Sequence, residues 1–397
     1  MAANTHEAAD TAPSKGSIFN DPMVRGIVYQ VALIGALVYL VWNIIQNAAH
    51  NLEKQNIASG LGFMDNTAGF LPNQSLIDLT ATSTYAEALL AGLLNTLLIA
   101  VIGIFFATIV GFVVGIARLS NNWVISKLAT VYIEIIRNIP LLLQIFFWYF
   151  AVLRALPNPR NSWDLGADFF LNNRGLYMAK PVFGEGSGLI LIALIVAVVG
   201  IIGLAYWAKQ RQMETGQRFP VFWTSIGLII GLPLIAYFIA GMPVTFDTPG
   251  LKGFNFSGGM KVIPEFVGLL LALTIYTGAF IAEIVRAGIL AVSHGQTEAA
   301  HALGLRQGPT LRLVIIPQAM RVIIPPLTSQ YLNLTKNSSL AVAIAYPDIV
   351  SVGGTVLNQT GQAVEIIGIW MIVYLSISLV TSMLMNWYNR SIALVER

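Results

Sequence analysis

Eight stretches of this chain are long, apolar and almost free of charge. Residues 26–49 and 88–117 contain no Asp, Glu, Lys or Arg. Residues 128–153 are interrupted by Glu134, Arg137 and Pro140. Further runs cover 189–208, 219–246, 266–282, 322–346 (broken only by Lys336) and 366–389. A helix needs about 20 apolar residues to cross a bilayer, and in hydrocarbon its backbone groups must be satisfied within the segment. A barrel strand would be about 10 residues with strict alternation, which these runs lack. The expected fold class is therefore all-α: a polytopic membrane helical bundle of about eight transmembrane helices. Composition agrees, with 56% hydrophobic and only 10% charged residues in 397. Soluble chains carry about 25% charged residues, so neither an ordinary soluble enzyme nor a disordered chain fits. The net charge of +3 is too mild to imply nucleic acid, and the absence of cysteine excludes disulfides and thiolate chemistry.

Residues 1–25 read as a polar, disordered cytoplasmic head. The run at 26–49 is too long for a signal-peptide core and no clear cleavage site follows, so it reads as an uncleaved first helix. Orientation follows from Lys and Arg. With the N-terminus inside, the inner loops hold Arg25, Arg118, Lys127, Lys209, Arg211, Arg218, Arg286, Arg306, Arg312, Arg321 and Arg390, among others. The outer stretches hold fewer, and 154–180 is their most basic part. Both termini are expected in the cytoplasm.

Residues 298–317 read EAAHALGLRQGPTLRLVIIP and fall on the inner side of this topology. Residues 298–303 can form a short helix that Gly304 stops. Gly308 and Pro309 suggest a turn, Thr310 a cap, and Pro317 the close of a second short segment. Two short helices with a glycine bend between membrane spans suit docking into a cytoplasmic groove, with Glu298 and the arginines fixing register.

This pattern resembles the EAA loop of binding-protein-dependent ABC permeases. That motif reads Glu-Ala-Ala, three residues, Gly, nine residues, Ile, one residue, Leu-Pro. Glu298, Ala299, Ala300, Gly304 and Pro317 fall in register, while Val314 and Ile316 replace Ile and Leu. The flanks are similar to the polar amino acid (histidine/glutamine-type) branch: Asn95-Thr96-Leu97, the run from Arg137-Asn138-Ile139-Pro140 to Gln144, Pro317-Gln318-Ala319, and Lys336-Asn337-Ser338-Ser339-Leu340. That branch usually has Gly-Thr where this chain has Asn138-Ile139. The length and layout resemble the longer permease subunit of general L-amino acid transporters. The resemblance implies a five-helix permease core at 88–153 and 263–389, one added N-terminal helix at 26–49, and an insertion at 154–262 carrying two helices. It implies ABC ATPase subunits that bind the ATP, a second permease subunit, a periplasmic or extracellular substrate-binding protein, an amino acid substrate and the bacterial inner membrane. No cofactor or metal is expected on this chain itself.

Within the spans, Glu134, Arg137, Asn138 and Lys336 are the candidates for the translocation path. Counted from residue 128, Arg137 would lie near the midplane, where an ionisable side chain faces protein or water. Glu134 is three residues away on the same helix face and is expected to pair with it. A structural ion pair and a contact along the path, or a cytoplasmic gate, are both open readings. Lys336 either snorkels outward or lines the path. Glu283 and Arg286 read as a boundary pair. Gly111 and Gly115 have the spacing of a close helix contact.

Three rival classes lack their signatures. A secondary amino acid transporter without an ATPase partner should show inverted repeats, an intramembrane enzyme paired catalytic groups, and a channel repeated filter loops. No phosphate loop of the G-x-x-x-x-G-K-[ST] type is present, so ATP chemistry must come from elsewhere.

Overall fold

The structure, a computed structural model, describes residues 22–54 and 60–392. Residues 1–21 of the expected head lie outside the described residues. Helix α1 (Pro22–Lys54) is followed by a short 3-10 turn and α2 (Tyr85–Arg118). Thr84 and Glu87 close the N-terminus of α2 as a capping box. Next come α3 (Trp123–Asn138) and α4 (Leu141–Phe146), the latter continued by a π-helical turn over Phe147–Leu153. Four short strands lead into the inserted helices: β1 (Trp163–Asp164), β2 (Phe170–Asn172), β3 (Gly175–Met178) and β4 (Lys180–Phe183). Helices α5 (Gly188–Thr215) and α6 (Val221–Ile239) follow, then β5 (Val244–Asp247), β6 (Gly250–Lys252), β7 (Asn255–Ser257) and β8 (Met260–Val262). The chain closes with α7 (Pro264–Leu290), α8 (His294–Ala302), α9 (Gln307–Thr310), a π turn at Leu311–Ile315, α10 (Ile316–Asn337), α11 (Ile349–Thr360) and α12 (Ala363–Ile392).

Among the described residues, seven helices are long and apolar enough to cross a membrane, and the bent α3–α4 pair makes eight. The helical bundle expected from the apolar runs is therefore present. The strands are an addition that the hydropathy pattern did not show. They form a four-stranded antiparallel sheet, β1-β2-β3-β8, the hairpin β6-β7, and an antiparallel pair β4-β5 that brackets α5 and α6 in sequence; all lie in the connections flanking those helices.

The core is built around α2 and α7. Glycines let the two backbones approach. A β-carbon on Gly111 would lie 2.4 Å from Ile281 Cγ2, and one on Gly115 2.7 Å from the Ala282 carbonyl oxygen. The close-contact reading of these two glycines therefore holds. Around this pair, Leu269, Leu273, Ile281, Ile323 and Leu334 form the buried centre. A second cluster joins Phe63 and Tyr85 to Val352, Val356 and Ile366. Helix α11, which was not expected from the sequence, sits in that second cluster. By contrast, α1 has no buried residue in its apolar window, and α6 buries none at all. The principal helical partner of α5 is α6, so the inserted pair packs as its own hairpin.

The third apolar run is not one straight span. α3 and the α4 segment are bent by 106°. Proline cannot donate at position 140 and disfavours helical geometry at the residue before it, so Ile139 is extended, at φ −97 and ψ 127. The break strands the last carbonyls of α3. Buried Gln144 answers this, donating from Nε2 to the carbonyl oxygens of Ile136 and Ile139, both at 3.0 Å.

Two outcomes follow. Gly111→Leu is expected to cost about 1–3 kcal/mol by overpacking against Ile281, read as a lower thermal midpoint in detergent. Deleting 188–240 with a short linker is expected to leave the core folded, read as an unchanged monodisperse elution profile.

Candidate coupling helix and ion cluster

Helix α8 carries Glu298, Ala299 and Ala300 between α7 and α9. It begins four residues before Glu298, earlier than the motif suggested. His294 Nδ1 and Glu298 Oε1 lie 3.1 Å apart, one turn along the exposed face. Ala300 faces inward and is buried, while Glu298 and Ala299 are exposed. Gly304 ends the helix as expected, with φ +78. Leu305 N donates to the Ala300 oxygen at 3.1 Å and Gly304 N to the His301 oxygen at 2.9 Å, a Schellman closure that requires the left-handed conformation. Leu303, before the glycine, is left 82% exposed. Gln318 Nε2 donates to Gln296 Oε1 at 3.1 Å, tying α8 to α10. A groove of about 430 Å³ runs beside α8, lined by Ile289, Val292, Ser293, Thr297 and Ile315 among others.

Two details of the expected loop are corrected. Thr310 does not cap a helix; its hydroxyl donates back to the Arg306 oxygen at 3.0 Å inside α9. Gly308 and Pro309 are likewise helical. Pro317 does not close a segment. It stands in the first turn of α10, and α9, the π turn and α10 run on as one unit. Pro317 lacks the N–H that would bond the carbonyl of residue 313, and its ring crowds that carbonyl. The wider π turn just before it, with Ile316 N donating to the Leu311 oxygen, accommodates the conflict.

An ion cluster lies where α2 and α7 end, on the same side as α8. Glu283 bonds Arg118 and is gripped by Arg286 through Nε at 3.1 and 3.2 Å and through Nη2 at 2.5 Å. The boundary pair Glu283–Arg286 is thus formed, and Arg118 extends it. The expected Glu134–Arg137 pair is not. Glu134 lies 3.7 Å from Arg118, and Arg137 stacks over the Phe280 ring at 5.0 Å. Asn138 Nδ2 donates to the Glu134 carbonyl oxygen at 2.6 Å. Glu134 thus reaches the last residue of α2, whereas Phe280, beneath Arg137, lies near the middle of α7. Glu134, Arg137 and Asn138 are all exposed. Lys336 is exposed in the last turn of α10, at the other end, so the structure does not bring it to this cluster.

The motif flanks have structural roles that the sequence reading left open. Buried Asn95 donates from Nδ2 to the oxygens of Gln74 and Pro347, both at 2.9 Å. Tyr346 OH donates to the Asn95 oxygen at 3.1 Å, and Ile349 N to Thr96 Oγ1 at 3.0 Å. Asn95 and Thr96 thereby clamp the turn that leads into α11. Their polar side chains inside an otherwise uncharged span were the available signal.

Residues 190–394 match the family described as binding-protein-dependent transport system inner membrane component. The chain is 57% identical to the general L-amino acid transport system permease protein AapQ of Rhizobium johnstonii, over 99% of this chain and all of that one. It is 54% identical to the putative amino-acid ABC transporter permease protein YhdX of Escherichia coli, over 96% of this chain and 98% of that one. It is 42% identical to the glutamate/glutamine/aspartate/asparagine transport system permease protein BztB of Rhodobacter capsulatus, over 95% and 96%.

Gly304→Ala is expected to cost about 1–2 kcal/mol through left-handed strain, read as faster amide exchange across 298–303, with Gly304→Asn recovering part of the protection. Gln144→Leu removes the donor from two partly buried carbonyls, at about 1–3 kcal/mol in all, and is expected to lower the thermal midpoint.

Proposed function

The chain belongs to the family of inner-membrane components of binding-protein-dependent transport systems, and from that premise we propose how it works. It is a multi-pass permease subunit of an amino acid ABC importer. It forms part of the path across the bacterial inner membrane and takes its drive from separate ATPase subunits, which hold the ATP. The names of its three relatives all concern amino acid transport, which supports that substrate class.

The observation that carries the coupling role is α8 itself. A short helix with a fixed C-terminal closure presents exposed Glu298, Ala299 and Leu303 beyond the ends of the membrane helices. An apolar tip flanked by charge suits insertion into a groove on another protein. The absence of a phosphate loop in this sequence supports placing hydrolysis on that partner. The α8 end is then cytoplasmic, in keeping with its basic loops. A second permease subunit completes the path, and a substrate-binding protein delivers the amino acid on the opposite side. Lipid covers α1 and the α5–α6 hairpin.

Glu134, Arg137 and Asn138 lie at the cytoplasmic mouth of this path as a gate, and Lys336 lines its outer part. Polar side chains left exposed on a membrane protomer call for water or a protein partner, which supports both assignments.

The test is purification of the tagged chain in mild detergent, with its partners identified by mass and amino acid uptake measured after reconstitution. Leu303→Glu is expected to release the ATPase while the chain stays in the membrane; retained ATPase would overturn the docking role. Arg137→Ala is expected to lower uptake at least about tenfold in a complex that still assembles. Wild-type uptake would leave Arg137 a packing residue on Phe280.

A further inference from the structure

A pocket of about 260 Å³ opens at the end of the bundle opposite α8, where the inserted segment meets the core. Arg154 comes from the end of the π turn after α4, Asn173 and Arg174 from the turn between β2 and β3, and Lys261 from β8. Glu265, in the first turn of α7, supplies the facing carboxylate, and Asn73 closes one side.

Three cations therefore face one carboxylate, and the positive end of the α7 dipole adds to them. None of the three cations forms an ion pair among the described residues. Arg154 reaches Glu265 only through a relay. Its Nη2 donates to Tyr149 OH at 2.7 Å, and that hydroxyl donates to Glu265 Oε1 at 2.8 Å. Lys261 Nζ sits 5.8 Å over the Tyr177 ring. Beneath the charges the floor is rigid, with Ile263, Pro264 and Tyr177 buried. Positive charge at the pocket thus exceeds negative, three cations to one carboxylate.

We propose that this pocket receives an acidic side chain of the substrate-binding protein, and that the inserted segment serves to build it. The inference rests on the reading of the chain as an importer permease, which puts this end outside the cytoplasm. A protein partner fits better than a free small anion. Arg154, Arg174 and Lys261 are all exposed, and exposed ion pairs contribute only about 0–1 kcal/mol each. A carboxylate held by them alone would leave quickly, whereas one carried on a docking protein gains from the rest of the interface. A lipid headgroup fits poorly, because Asn73, Asn173, Arg174 and Lys261 come from polar connections beyond the helix ends.

The experiment uses the whole complex in nanodiscs and titrates the cognate binding protein, loaded with amino acid, while ATP hydrolysis is followed. The variant Arg174→Glu with Lys261→Glu is expected to raise the half-saturating concentration of binding protein about tenfold at low salt. The gap from wild type should close near 0.5 M salt, where screening acts within about 5 Å. The milder pair Arg174→Gln with Lys261→Gln is expected to give a smaller shift and guards against loss of assembly. Lys180→Glu, a single charge reversal on β4 outside the pocket lining, should leave the half-saturating concentration unchanged. An unaltered half-saturation in both double variants overturns the proposal. So does an equal shift in Lys180→Glu, or tight binding of the free amino acid at this pocket without the binding protein. A wild-type chain that purifies without any ATPase sinks the importer reading itself. A complex that forms and is stimulated, but ignores the charge reversals, sinks only the pocket.

Discussion

The close approach of α2 and α7 sets the geometry of everything around them. Hydrocarbon gives helices no hydrophobic reason to associate, so contact must come from packing and from polar groups. At Gly111 and Gly115 the surfaces interlock so closely that a single β-carbon would overlap its neighbour. This fixes the relative height of the two helices. At one end of the pair Arg118 and Glu283 meet, and at the other the first turn of α7 lies beside the π turn that follows α4. Gly268 on α7 repeats the device, with Tyr149 and Leu153 seated against it. The charged cluster and the outer pocket are thus two ends of one closely packed pair.

The polar side chains buried in the bundle have specific tasks. Gln144 satisfies the carbonyls that Pro140 strands, and Asn95 and Thr96 hold the turn before α11. In a membrane interior an unmet carbonyl costs several kcal/mol, so such residues determine where a helix can break. The bend between α3 and α4 is therefore a built feature. It ends α3 just after its charged last turn and lays the next segment along α7.

Much of the fold was legible in the sequence because membrane spans are written in uninterrupted hydropathy. The α8 signal was legible too, since Gly304 has one obvious conformational use after a short helix. The misses have physical causes. The Glu134–Arg137 pairing assumed that neighbours on one face find each other, but Arg118 and Phe280 lie across the helix boundary and compete better. Helix α11 is short and buried by tertiary contacts, so its hydropathy carried no span signal. The strands of the insertion are two to four residues long, and their pairing partners lie as far apart in sequence as Leu176 and Val262. Thr310 and Pro317 looked like helix boundaries because both types favour them, yet a π turn absorbs the proline and the helix runs on.

That continuity has a mechanical meaning. From Gln307 to Ile344 the chain is one helical unit of 38 residues, starting three residues after the glycine that ends α8. It includes the π turn, Pro325 and Pro326 inside α10, and a 3-10 segment at Ser338–Ile344, so it is continuous without being a uniform α-helix. Its far end runs into the turn clamped by Asn95 and Thr96. What lies between α8 and the turn before α11 is thus continuous helix rather than a long loop.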